Sequence, residues 1–172
     1  MKKIDESNIL IFGASSPVGL FFYKELISKK IINSSYVKRF SRYQTVNFNT
    51  LDLTSPGDAF FNQKFKKVII ISFAPIWKLS KFLDYCQKKD ISFMNSIKFI
   101  IACSSTSIIS KRFSFSNYDK SLFKKLMNAE NALMRASKKN KFTSIILRPT
   151  MVYGGFNTSK DSNIEVIKKI LK

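Results

Sequence analysis

The apolar run Asn8-Ile9-Leu10-Ile11-Phe12 stops at a glycine, and a helix-like stretch from Leu20 to Lys30 begins a few residues later. Between them stands Gly13-Ala14-Ser15-Ser16-Pro17-Val18-Gly19. A strand that becomes a helix this abruptly leaves backbone N–H groups aimed at one point, where the helix dipole also favours negative charge. The turn reads as a cradle for a pyrophosphate. Gly13 permits the sharp bend, Gly19 lets the helix pack close on the strand, and Ser15 and Ser16 are small enough for phosphate oxygens to reach the backbone. Pro17 and Val18 then open the helix. The middle glycine of the usual three is Ser16 here. Turns of small residues also occur in strand-to-helix loops that bind nothing, so the other strand ends have to decide.

Further apolar runs recur at Tyr36 to Ser41, Val68 to Phe73, Phe99 to Cys103 and Ser144 to Leu147, with a short additional strand at Thr45 to Phe48. Helical patterns fall between or after them, at Val18 to Lys30, Ile76 to Lys89, Lys120 to Asn140 and Asn163 to Leu171. In the third, Leu122, Leu126, Ala129, Leu133 and Ala136 form one apolar face, and Lys124, Lys125, Lys138 and Lys139 lie mostly off it. Continuous apolar strands alternating with helices predict an α/β fold, a doubly wound parallel sheet covered on both faces. No repeat, low-complexity tract or Pro- and Gly-rich linker divides the chain, so residues 1–172 are expected to form one domain.

Composition narrows the function classes. The chain has no histidine, which excludes a His base or His metal ligand. Cys86 and Cys103 make no metal-type pair and are expected in helix and strand interiors as reduced thiols. The longest nearly apolar run, Val68 to Trp77, is interrupted by Ser72 and Pro75 and is far short of the roughly 20 residues that span a bilayer. No signal-peptide pattern precedes Gly13, so a cytoplasmic protein without a membrane partner is expected. The net charge of +19 would suggest nucleic acid, but the lysines are spread through every segment. Pairs such as Lys66-Lys67, Lys88-Lys89 and Lys138-Lys139 fall at helix ends or between elements, where cations meet terminal carbonyls. No nucleic-acid partner is expected on that reading.

In a doubly wound sheet the ligand lies across the carboxyl ends of the strands. After Phe40 come Ser41-Arg42, where an acidic residue would accept from a ribose diol; the arginine could face a 2′-phosphate, favouring NADP over NAD. Asp52-Leu53 could flank an adenine, or Asp52 could cap the turn Thr54-Ser55-Pro56-Gly57. Phe73-Ala74-Pro75 suits a chain running past a ribose, or the start of the next helix. Ser104-Ser105-Thr106-Ser107 puts hydroxyls where a nicotinamide ring and a substrate would meet, or makes an ordinary turn.

These features, with Glu130 and Leu147-Arg148-Pro149-Thr150-Met151-Val152-Tyr153-Gly154, occur in the order found in extended short-chain dehydrogenases/reductases. The chain resembles the NAD-dependent epimerase/dehydratase family of nucleotide-sugar enzymes over essentially its whole length. The resemblance implies a Rossmann fold, an NAD(P) cofactor on Gly13 to Gly19, a nucleotide sugar or similar carbonyl/hydroxyl substrate, and Ser105, or Ser104 one register earlier, orienting that substrate. It also implies a possible homodimer through the helices Ile76 to Lys89 and Lys120 to Asn140.

Two departures qualify it. The family's Tyr-x-x-x-Lys pair, in which the lysine lowers the tyrosine pKa for acid/base work, falls on Leu122 and Leu126. The only literal match, Tyr85 to Lys89, lies on the preceding helix; Lys111 and Tyr118 could form a displaced pair. The family continues after the Arg-Pro-Thr segment into a substrate-binding region, whereas this sequence runs to Lys172. The expectations are therefore an oxidoreductase or epimerase-like protein, or a non-catalytic dinucleotide-binding module or inactive truncated fragment. If a partner domain is missing, the 17 phenylalanines would leave apolar surface exposed.

Overall fold

The computed structural model describes residues 8–30, 33–43, 46–63 and 65–150. The expected helix at Asn163 to Leu171 and the stretch Met151 to Gly154 lie outside the described residues. Strand β1 (Asn8–Phe12) runs into helix α1 (Pro17–Ser28), and a 3-10 turn (Ser34–Tyr36) leads into β2 (Val37–Ser41). There follow β3 (Asn49–Thr50), α2 (Asp58–Phe61), β4 (Val68–Ser72), α3 (Ile76–Lys89) and α4 (Ile91–Ser96). The described chain continues through β5 (Ile97–Cys103), α5 (Ser107–Ser110), α6 (Asn117–Asn140) and β6 (Thr143–Leu147). The six strands form one parallel sheet in the order β3-β2-β1-β4-β5-β6, the doubly wound arrangement expected, with its direction of winding reversed between β1 and β4.

Side-chain alternation divides β1 between two cores. Leu10 and Phe12 join Ile70, Ile100 and the α3 and α6 residues Leu79, Phe82, Leu126 and Leu133 in the larger one. Ile9, Ile11 and Ile71 face the other way, against Phe22 and Tyr23 of α1. Much of the phenylalanine content goes into the larger core. Phe60 lies edge-on to Phe40, Phe82 and Phe93 at centroid distances of 5.7, 5.5 and 5.2 Å, pairs worth about 0.5–1.5 kcal/mol each beyond area burial. Phe113 and Phe115, between α5 and α6, are 82% and 95% exposed.

Several elements differ from the sequence reading, which held neither of the short helices α2 and α5. The strand expected at Thr45 to Phe48 is displaced to Asn49–Thr50, which pair with Phe40 and Ser41. Val46 is fully exposed and Phe48 turns beneath the Arg39 guanidinium, 4.9 Å from its ring centroid. Helix α4 was not anticipated, although Asp90 carries its start signal: Oδ1 accepts from the N–H groups of Ser92 and Phe93. Strand β5 begins two residues before Phe99, at the buried Ile97, across a register shift beside Val68 and Ile69.

Candidate functional site

The glycine turn is tied to both neighbouring strand exits. Ala14 N–H donates to Phe40 O at 3.1 Å, and Phe73 N–H donates to Phe12 O at 2.8 Å. Gly13 has φ +68, and a Cβ there would lie 2.6 Å from Ala74 N. A Cβ on Gly19 would lie 2.6 Å from Gly13 O. Neither contact can relax cheaply, because both neighbours are backbone.

Ser16, standing where the middle glycine would be, caps α1. Its Oγ accepts from Gly19 N–H at 3.1 Å and donates to Gly13 O at 2.7 Å. Pro17 has no N–H, so Val18 supplies the first-turn amide left for an anion. The strand-to-helix turn expected from the sequence is present, with the Gly19 N–H turned inward to the Ser16 hydroxyl.

Beside this turn opens a cleft of about 300 Å³. Gly13, Ser15, Ser16, Arg42, Asp52, Leu53, Phe73, Ala74 and Pro75 all line it, so residues drawn from four separated segments meet around one space. Ser41 lies beneath, 2% exposed, with its Oγ 3.0 Å from Ser15 Oγ and accepting from Tyr43 N–H. The Arg42 guanidinium lies over the Tyr43 ring, 4.7 Å from its centroid, and donates to Tyr43 Oη. Asp52 combines both of its sequence readings. Its Oδ1 accepts from Thr54 N–H and Oγ1 at 2.9 and 2.8 Å, and the residue also lines the cleft. Those bonds, joined by the charges of Lys78 and Arg42, hold its carboxyl below the usual aspartate value. Lys78 also lines this cleft. The sequence reading passed it over, and its position three residues after Pro75, on the first turn of a helix leaving a strand exit, was the signal.

A second space of about 610 Å³ shares Ser16 and Phe73 with the first and is walled by Val18, Cys103, Leu147, Arg148 and Pro149. The rim here is clamped by one carboxylate. Glu130 of α6, 4% exposed, accepts from Arg148 Nε at 3.0 Å and Nη2 at 2.5 Å, and from Ser104 Oγ at 2.5 Å. Ser104 N–H also donates to Leu147 O at 2.7 Å. Burial pushes the Glu130 pKa up, but the bonds from Arg148 and Ser104 and the Arg148 charge outweigh it and leave it lowered. The Ser104 hydroxyl is thus committed to Glu130. The Ser105 Oγ accepts from Ser107 N–H at 3.1 Å and lies 3.0 Å from Ser107 Oγ. Cys103 is half-buried and Cys86 lies fully inside α3, both as free thiols whose pKa is raised by burial.

No proton-transfer pair assembles from the alternatives. Leu126 is 3% exposed in the core, and Leu122 packs against that core. Lys111 forms an ion pair with Asp119, which also accepts from Ser114 Oγ at 2.9 Å, while Tyr118 is 74% exposed. Tyr85 stacks on Phe61 and Lys89 pairs with Asp58 at 3.2 Å. Among the described residues no cluster of His, Cys, Asp or Glu could hold a metal ion, and no helix is long and apolar enough to cross a membrane.

No protein-family model matches the sequence, and no curated protein matches it. Solved structures do. Gre2 from Candida albicans, also solved with NADPH, is similar at 16% identity and TM-score 0.64, over 96% of this chain and 65% of that one. UDP-glucuronic acid 4-epimerase from Bacillus cereus, solved with NAD, is similar at 14% and 0.64, over 95% and 62%. UDP-N-acetylglucosamine 4-epimerase from Bacillus cereus gives 18% and 0.65, over 95% and 66%. The chain thus spans less than two thirds of the length of these proteins. A short-chain dehydrogenase/reductase superfamily protein with bound NAD is similar at 12% and TM-score 0.58. At such identities the likeness speaks for architecture, and the architecture is the doubly wound Rossmann fold that these structures share.

Proposed function

We propose that this chain binds a nicotinamide dinucleotide across the carboxyl edge of its sheet, as a protein of the reductase or epimerase kind. The observation that carries the reading is the pair of connected spaces meeting at Ser16 and Phe73, one lined by Arg42, Asp52 and Lys78, the other by Val18, Cys103 and Arg148. The adenosine half belongs in the first, the pyrophosphate at Ser15 to Val18, and the nicotinamide in the second. When bound, the cofactor would supply hydride chemistry. The chain's own part is to hold the pyrophosphate on the Val18 amide, to cover the adenine edge with Asp52 and Leu53, and to present Ser105 toward the reacting end. Arg42, which lines the first space, supports a preference for NADP, because a guanidinium there would pair with a 2′-phosphate. A nucleotide sugar is the substrate class suggested by the UDP-sugar epimerases of the same fold.

A second reading is favoured by one observation: the lysine position of the family pair is occupied by Leu126 inside the core. On that reading the chain binds the dinucleotide and does no chemistry of its own. Calorimetric titration with NADPH and NADH tests the shared part. Binding is expected, tighter for NADPH, with the difference erased in Arg42→Ala and both ligands lost in Ser15→Asp, which puts a carboxylate at the pyrophosphate. Absence of binding by the folded protein refutes both readings. Single-turnover oxidation of bound NADPH by a panel of carbonyl compounds separates them.

A further inference from the structure

In a parallel sheet wound this way, the strands start, and the helices that return between them end, on the edge opposite the cleft. Lysines dispersed along the sequence converge there. At helix ends stand Lys29 and Lys30 after α1, Lys88 and Lys89 of α3, and Lys138 and Lys139 of α6. At strand starts stand Lys66 and Lys67 before β4, Lys98 in β5 and Lys141 before β6. All ten are exposed. Asn8 N–H donates to Lys67 O, which seats that pair directly against the start of β1. Among the described residues few carboxylates lie nearby, Asp84 on α3 and three with partners. Glu25 pairs with Lys29, Asp58 with Lys89, and Asp90 caps α4.

Favourable meeting of cations with helix-end carbonyls explains the three helix pairs. It also covers Lys141, the C-cap of α6, and Lys98, whose Nζ donates to Asn95 O in the last turn of α4, but it does not explain Lys66 and Lys67, nor why so many of these ends carry lysine on one edge. Adjacent strands lie about 4.8 Å apart, inside the Debye length of about 8 Å at physiological salt, so the fields of neighbouring lysines add. Charge spread across β4, β5 and β6 fits an extended polyanion better than one small anion. The exposed apolar side chains that would enter a bilayer are mostly elsewhere, with Ile109, Phe113, Phe115 and Tyr118 on the α5–α6 segment and Ile145 and Leu147 on β6. Among the described residues only Tyr36 and Ile91 adjoin the lysine edge.

We propose that this edge binds the phosphate backbone of nucleic acid without reading its sequence, independently of any ligand in the cleft. The expectation against a nucleic-acid partner rested in part on the spread of lysines along the chain, and the fold brings ten of them to one edge.

The test is fluorescence polarisation of labelled 20-nucleotide single-stranded RNA and of a DNA duplex, across a salt series. Two variants are compared with the native chain. One carries Lys66, Lys67, Lys98 and Lys141→Gln; the other carries Lys81, Lys120, Lys124 and Lys125→Gln, which removes equal charge away from the edge. The expected result is binding whose logarithm falls linearly with log salt, by about 0.9 per duplex phosphate contacted. The edge variant should lose at least tenfold in affinity and about three units of slope, and the control variant less than threefold. Equal losses in the two variants, or no binding at low salt, overturn the proposal. So does edge-dependent binding to phosphatidylserine vesicles with none to either nucleic acid. Every substituted side chain is exposed, and a thermal melt of each variant verifies that it is folded.

Discussion

The two edges of the sheet handle charge in opposite ways. At the cleft edge the carboxylates have assigned donors: Glu130 holds Arg148 and Ser104, Asp119 holds Lys111 and Ser114, and Asp52 holds Thr54. At the opposite edge cations accumulate and only Lys29 and Lys89 have a carboxylate partner among the described residues. Parallel winding sorts the backbone in the same sense, with helix N–H groups facing the cleft and helix carbonyls facing away. One edge is therefore built by geometry, with glycine and serine in tight contacts, and the other by charge, with long solvated side chains. The first should be intolerant of substitution and the second tolerant of it in stability.

The sharpest test of that contrast is Gly13→Ala. Its Cβ would meet Ala74 N at 2.6 Å in a positive-φ conformation, so a loss on the order of 3 kcal/mol is expected in denaturant unfolding. Lys98→Gln on the far edge should stay within about 0.5 kcal/mol. Comparable losses at the two positions would erase the distinction. The same clash makes Gly13 a poor place to test ligand binding, since any side chain disturbs the turn itself. Next in size is Glu130→Gln, which leaves Arg148 without its counter-charge and should cost about 2 kcal/mol, below the full buried-pair penalty because Arg148 is 42% exposed. The Glu130 pKa lies below its ordinary 4.5, so its stabilising contribution is complete above that value and is lost as pH falls through the lower folded value. Native unfolding free energy should thus drop below about pH 4.5 more steeply than that of Glu130→Gln.

Ser16→Ala removes the α1 cap and should cost about 1 kcal/mol in thermal unfolding. Ser16→Gly should cost only a few tenths of that, and it returns the Gly19 N–H to the cleft. Tighter dinucleotide binding by Ser16→Gly would show that the native hydroxyl competes with the ligand; unchanged affinity would remove Gly19 from the cradle. An effect of opposite sign is expected at Ser72, the one buried side-chain oxygen without a partner among the described residues. Ser72→Ala should raise stability by up to about 1 kcal/mol in the same melts, since an orphaned hydroxyl is costly to bury.

The sheet was legible because β1 and β4 are nearly continuous apolar runs, β5 and β6 carry shorter ones from Phe99 and Ile145, and α3 and α6 keep a 3.6-residue period. β3 was misplaced because Thr45 to Phe48 carries strand propensity, whereas pairing to β2 falls on Asn49 and Thr50, of which Asn49 has little. At the cleft the strand-end rule located Arg42, Asp52 and Ala74, since it needs only the end of each apolar run. It missed Lys78, which arrives by helix rotation, and it could not tell Ser104 from Ser105. That choice depends on Glu130, 26 positions away from Ser104. The lysine edge was invisible for the same reason, because no local window contains residues 30, 67, 98 and 141 together.

The Glu130 clamp also has a mechanical meaning. By holding Ser104 and Arg148 at once, it joins helix α6 to the exits of two strands, so these three elements fluctuate as one body and the rim moves, if at all, against the glycine turn on the other side. In hydrogen exchange the Ser104 amide, bonded to Leu147 O, would then report the opening of that whole body, and would exchange at a rate set by a carboxylate its own peptide group never touches.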